Sequence, residues 1–237
     1  MTPEEEEAAL LALPPARPEE TRGYGPHPSQ VIDYYGAGGA GRRVTVLHGG
    51  FWREAYDRTH LSPLAAELAR RGFAVALAEY RRVGGGGGWP ATFDDVARAV
   101  ATAWGGADQV LLGHSAGGQL ALWAAAHSGV TGVVAVAPVA DLGYARELGL
   151  SGGAVAELLG AEGDLAAVDP MRLLPLTVPT VLLHGTDDAD VPIEVSRRYV
   201  AASGAALHEL RGVGHYGPLI PGSPAFPELL TALDEVS

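Results

Sequence analysis

The 237-residue chain contains no cysteine. Disulfides, thiolate nucleophiles and cysteine-ligated metals are therefore excluded. Basic residues are scarce as well: 16 Lys and Arg stand against 28 Asp and Glu, for a formal net charge of -12 at pH 7. Nucleic acids and anionic membranes both require a basic face, so neither is expected as a partner. No apolar run reaches the roughly 18 residues that a membrane span needs, and Met1 to Glu7 is acidic where a secretory leader would be basic. These absences lead to the expectation of a soluble, cytoplasmic protein. Eight histidines are present, but no H-E-x-x-H or H-x-H pair occurs among them, so no metal site is expected.

What is present is a globular composition, 47% hydrophobic and 19% charged. The length suits one large α/β domain. Residues 1–23 read as an N-terminal helical arm, with a helix over 3–13 that starts on Pro3 and the acidic run Glu4 to Glu7 and is stopped by Pro14 and Pro15. Residues 24–237 read as a single domain. Val31 to Tyr35 is expected as an edge strand, buried strands are expected at Phe73 to Ala78 and ending at Gln109 to Leu112, and further strands at Val44 to Leu47, Gly132 to Ala137, Thr180 to Leu183 and Leu207 to Leu210. Between them fall helices capped by Ser62-Pro63 and by Thr92 to Asp95. Residues 141–176 break the rhythm as a small cap insert. Alternation of this kind predicts an α/β fold whose mainly parallel sheet carries helices on both faces and binds ligands at the carboxyl ends of its strands. Gly36, Gly38 and Gly41 satisfy a dinucleotide-type glycine spacing, but they open a strand instead of a helix and read as a turn. Gly84 to Gly88 read as a flexible loop.

The organising stretch is Leu111 to Gly118. Here an apolar strand breaks at Gly113, presents Ser115 and resumes at once as a helix. Such a turn exposes a hydroxyl at a strand's carboxyl end, above a helix amino end that favours negative charge. The G-x-S-x-G pattern recurs at Gly149 to Gly153, but the residues before Ser151 are helix-like, so Ser151 reads as a loop and Ser115 as the nucleophile.

Two more polar clusters follow strands, giving the chain order Ser115, Asp188, His215. That is the order of a Ser-Asp-His triad in an α/β hydrolase. Asp188 is the preferred acid, Asp187 the second choice and Asp190 the third. Upstream, His48-Gly49-Gly50-Phe51 ends a strand in successive glycines, and the backbone N–H groups of Gly50 or Phe51, with that of Ala116, are the expected oxyanion donors. Trp52, Tyr80, Trp89 and Tyr216 lie on loops expected to meet at the strand ends as an aromatic substrate pocket. Arg53 and Arg81 are candidates to receive a substrate carboxylate, with a solvated face as the plain alternative. His48, His114 and His184 read as packing or loop-bracing groups.

At these residues the chain resembles the α/β hydrolases. The set His48-Gly49-Gly50-Phe51-Trp52-Arg53, Glu79-Tyr80-Arg81, Gly88-Trp89-Pro90 and Gly113 to Gly118 is similar to the kynurenine formamidase (arylformamidase) branch, near the hormone-sensitive-lipase-like esterases. Esterases of that last type usually carry a third glycine where this chain has Phe51. The resemblance implies hydrolysis of N-formyl-L-kynurenine to formate and kynurenine without metal or organic cofactor. A carboxylesterase for short acyl or aryl esters is the alternative, and a catalytically silent binding protein of the same fold is a further one. The expected partner is a small ester or formamide, and a homodimer is compatible with the sequence.

Overall fold

A computed structural model describes residues 2–236. After helix α1 (Pro3–Leu11) come strands β1 (Glu20–Gly23), β2 (Val31–Tyr35) and β3 (Arg43–Leu47), then α2 (Ser62–Arg70), β4 (Ala74–Ala78), α3 (Ala91–Ala103), β5 (Val110–His114) and α4 (Ala116–His127). β6 (Gly132–Val136) precedes three short cap helices, α5 (Leu142–Glu147), α6 (Leu150–Leu159) and α7 (Leu165–Val168). The chain closes with β7 (Thr180–Gly185), α8 (Glu194–Ser203), β8 (Ala206–Leu210) and α9 (Phe226–Glu235). The eight strands form one sheet in the order β1-β2-β4-β3-β5-β6-β7-β8. From β4 to β8 every pair is parallel, while β2 runs antiparallel to both β1 and β4.

Both faces of the sheet are covered, so its strands are apolar on both sides. Along β4, Val75 and Leu77 join Leu64, Leu68, Leu229 and Leu10 in one core layer, whereas Ala76 and Ala78 join Phe93, Val96 and Leu120 in the other. The central helix α4 is buried from Ala116 through Ala125, as an all-apolar helix must be.

Several expectations are corrected. β2 is not the edge; β1 is, and its sequence Glu-Thr-Arg-Gly, exposed throughout, carries no apolar signal that would announce a strand. Thr92 does not cap α3, which begins one residue earlier, after Pro90; its hydroxyl instead donates to the carbonyl of Arg81 and accepts from Gly88 N–H. Ser62 does not cap α2 either. A 3₁₀ turn, Arg58–Leu61, leads into that helix, and the Ser62 hydroxyl ties the turn to the N-terminal segment by donating to Thr59 O and accepting from Ala16 N. The glycine loop at 84–88 is a hydrogen-bonded turn in which the amides of Gly85 and Gly87 both donate to Arg82 O.

Two glycines set how closely the elements meet. A Cβ on Gly113 would lie 2.2 Å from the Gly117 carbonyl oxygen, and one on Gly117 would lie 2.2 Å from that of Leu47. α4 therefore starts directly against β3 and β5. Gly117→Ala is expected to lower stability by about 1–3 kcal/mol through overpacking against backbone that cannot retreat. Gly129→Ala, where a Cβ meets nothing within 4 Å, is expected to leave the urea midpoint essentially unchanged, and the two midpoints measured together test the packing.

Candidate active site

Ser115 sits between β5 and α4 at φ 55 and ψ -119, a conformation that costs a side-chain-bearing residue on the order of 1–3 kcal/mol. Surrounding hydrogen bonds hold it there. Its amide donates to Val136 O at 2.9 Å, and its carbonyl accepts from Gly118 and Gln119 at 2.9 and 3.1 Å. Ser115, His114 and His215 line one cavity of about 260 Å³.

His215 lies on the loop after β8. Its Nδ1–H donates to Asp188 Oδ2 at 2.6 Å, with both side chains buried. The other carboxylate oxygen, Oδ1, accepts from the amides of Asp190 and Val191 at 2.9 and 2.8 Å. Burial opposes ionisation of Asp188, yet the hydrogen bonds from His184 and His215 prevail and hold its carboxyl below the usual range. Asp187 is exposed and accepts from the Thr186 hydroxyl. Asp190 lines the cavity. Asp188, Asp190 and His215 bring potential ligand atoms within 4.8 Å of one another, but the oxygens of Asp188 are already taken by the imidazole and by backbone amides. Among the described residues, Ser115 Oγ makes no hydrogen bond to His215; in a site without substrate such contacts are commonly long and tighten in the complex.

The loop after β3 borders Ser115 on one side. Gly50 has φ 108, and Phe51 and Trp52 follow at φ 55 and 57. Phe51 and Ala116 both line a narrow recess of about 10 Å³ beside Ser115, walled by Val139, Val155 and Val191. Ala116 opens α4, where an N–H has no acceptor within the helix. Beneath this loop lies a buried polar cluster. The rings of His48 and Tyr80 stack at 4.6 Å, and Tyr80 donates its hydroxyl proton to His48 O at 2.7 Å. His48 Nε2 lies 2.8 Å from Glu79 Oε1, and Glu79 in turn pairs with Arg82 and accepts from Arg58 N–H.

Of the four aromatic residues expected in the pocket, the structure brings one into the main cavity. Tyr216 lines it, beside Phe51 and Tyr56. Trp52 is buried, donates from Nε1 to Gln119 and reaches only the narrow recess. Tyr80 is wholly buried beneath the His48 loop. Trp89 packs edge-on against Phe93 while its amide donates to Leu158 O. Tyr80 and Trp89 thus brace the loops without facing the cavity. Neither arginine is free: Arg53 pairs with Glu157 and Arg81 with the buried Asp95.

The cavity also has a wall that the sequence did not indicate. α1 lies across it, supplying Glu7, Leu10 and Leu11, and Glu6 from the same helix is buried against the His215 loop. Its short amphipathic pattern resembled a surface arm, and no motif marks a helix that docks 200 residues away. Ser151, also set aside as a loop residue, has a left-handed backbone at φ 52 and borders the narrow recess.

Among known proteins, a family model described as BD-FAE matches residues 38–134. No curated protein matches the chain. Solved structures do. An esterase B from Lactobacillus rhamnosis, inhibited by a tributyrin phosphonate, superposes with a TM-score of 0.77 at 19% identity, covering 98% of this chain and 91% of its own. A truncated carbohydrate esterase from gut microbiota gives 0.76 at 19%, covering 94% and 99%. An esterase/lipase from an uncultured bacterium gives 0.72 at 19%, covering 97% and 88%. The chain has the α/β-hydrolase fold. Among the described residues no helix is long and apolar enough to cross a membrane.

Burial also sets the protonation of the histidines around Ser115. His114 Nε2–H donates to His215 O at 3.1 Å, its Nδ1 is buried without a partner, and burial, with the neighbouring His215, holds its pKa well below 6.5. His60 is pushed down to about 4 by burial and by His48. Both stay neutral in the fold at pH values where the unfolded chain protonates them, so the unfolded state binds more protons below about pH 6.5 and stability falls as pH falls. Urea unfolding between pH 7 and about 5 is expected to show this, His114 alone contributing a slope that approaches about 1.4 kcal/mol per pH unit. A flat profile over that range would contradict a neutral, buried His114.

Proposed function

We propose that the protein is a serine ester hydrolase that acts through an acyl-enzyme, with Ser115 as nucleophile, His215 as general base and acid, and Asp188 as the orienting carboxylate. The observation that carries this reading is the 2.6 Å Asp188–His215 pair, whose imidazole lines the same cavity as Ser115, a residue held at positive φ between strand and helix. The fold is shared with proteins described as esterases.

In this reading Ser115 Oγ attacks the acyl carbon as His215 Nε2 takes its proton. Negative charge on the carbonyl oxygen is met by the N–H groups of Ala116 and of Gly50 or Phe51, each donor contributing on the order of 3 kcal/mol. His215 returns the proton to the leaving alcohol, and water, activated by the same imidazole, releases the acid. The recess at Phe51 and Ala116, of about 10 Å³, has room for a group about the size of one methyl, which suits an acetyl. The larger cavity takes the leaving group.

Esters are favoured over N-formyl-L-kynurenine by the fold shared with proteins described as esterases, and the cavity offers no dedicated partner for an amino-acid carboxylate. The lining of the cavity contains the carboxylates Glu7 and Asp190 and, among the described residues, no arginine or lysine. A substrate carboxylate would enter without a cationic partner, since Arg53 and Arg81 are engaged elsewhere.

Purified protein is expected to hydrolyse p-nitrophenyl acetate faster than p-nitrophenyl butyrate, and both faster than N-formyl-L-kynurenine. Ser115→Ala should abolish turnover. A strong preference for the formamide would return the assignment to an arylformamidase. Asp188→Asn is expected to lower kcat by on the order of 10³–10⁴-fold, while Asp187→Asn stays close to wild type; the reverse pattern would transfer the orienting role to Asp187.

A further inference from the structure

The loop that carries His215 is held from outside the triad. Glu6, in the second turn of α1, is buried, and its carboxylate accepts from three amides that bracket the histidine. Oε1 accepts from Gly214 N–H at 2.9 Å, and Oε2 from Tyr216 and Gly217 N–H at 3.2 and 2.7 Å. A carboxylate shared among three N–H donors forms the charge-assisted bonds that are the stronger class, and no uncharged side chain can accept from all three equally well. The approach is tight: a Cβ on Gly217 would lie 3.0 Å from Glu6 Oε1. The carbonyl of His215 itself accepts from His114 Nε2–H. Main-chain groups on both sides of His215, and its own carbonyl, are thus fixed before Asp188 takes the imidazole.

We propose that Glu6 is a positioning residue for catalysis, which acts by holding the Gly214 to Gly217 main chain so that the His215 imidazole keeps its place between Asp188 and Ser115. The proposal rests on the serine hydrolase reading for its kinetic consequence, though not for its geometry. Without the Glu6 carboxylate, three amides in a confined loop lose their acceptor, and the loop turns to find others. The imidazole moves with it, and a displacement of about 1 Å at a general base costs on the order of 10²-fold in rate. Tyr216 moves with the loop, but Ser115, Gly50, Phe51 and Tyr56 lie on other segments of the cavity wall, so binding of a small substrate changes less than turnover.

The test compares wild type with Glu6→Gln, which keeps shape and one acceptor oxygen but turns an NH₂ toward an amide donor, and with Glu6→Asp, which keeps the charge and shortens the reach. Each full-length protein is assayed for phosphonylation of Ser115 by a fluorophosphonate, for kcat and KM on p-nitrophenyl acetate, and for the low-field proton resonance of His215 Nδ1–H. The expected result for Glu6→Gln is a fall of at least about tenfold in labelling rate and kcat with KM within about twofold, and loss or broadening of the low-field resonance. Glu6→Asp is expected to fall between the two. A Glu6→Gln protein that labels as fast as wild type and keeps the resonance overturns the proposal. Wild-type protein that resists the reagent would count against the hydrolase reading, and the resonance would then still decide the role of Glu6. If Glu6→Gln does not fold, amide exchange in the wild-type protein decides it: protection of Gly214, Tyr216 and Gly217 comparable to β5 supports the tether, and rapid exchange at these three overturns it.

Discussion

The contact on which the site depends is the close approach of backbone to backbone at the start of α4. Gly117 leaves room for α4 to begin against the carbonyl of Leu47, and Gly113 leaves room for Gly117. That contact fixes how far β3 and β5 can lie from the helix. It also goes with the positive φ of Ser115, which stands between β5 and α4 and borders both the cavity and the recess. The loop after β3, which borders the recess on the other side, then has only one place to go. It is locked there by the stack of His48 on Tyr80 and by the charged cluster around Glu79. Strain at Ser115, Phe51 and Trp52 is thus held in place by a rigid frame, the usual arrangement where backbone is kept away from its preferred wells.

The electrostatics follow from the same burial. Asp188 remains a carboxylate because two backbone amides and two histidines face it, while His114, with one partner and no countercharge in contact, remains neutral. Each ionisable group near Ser115 therefore has a separate role. The Asp188 carboxylate faces the His215 imidazole, and the neutral His114 holds the His215 carbonyl. The carboxylates of Glu7 and Asp190 bring the chain's overall negative charge to the cavity wall.

Much of this was legible in the sequence, and the parts that were not share a cause. The buried strands β3 to β7 are dense in Val, Leu and Ala, Ser115 and Asp188 follow β5 and β7, and His215 follows β8 in a glycine-flanked turn, so the order of elements and the three polar positions could be read directly. β1 could not, because Glu20 to Gly23 has no apolar side chain and stays exposed along its whole length. Tyr80 and Trp89 were placed on the correct loops, but an aromatic residue beneath a loop and one facing a cavity look identical in sequence. Thr92 and Ser62 have the side chains of helix caps and spend them on tertiary bonds. α1 was recognised as a helix; what it docks against depends on contacts across nearly the whole chain, which no local pattern encodes.

That docking has a consequence for the route by which the chain folds. Glu6 meets its three amides at sequence separations of 208, 210 and 211, whereas each strand from β3 to β7 pairs with neighbours far nearer in sequence. Loop-closure entropy grows only slowly with separation, but contacts of so long a span form late. The sheet therefore takes shape first, and the turn that carries His215 is tied down only when α1 comes to rest on it.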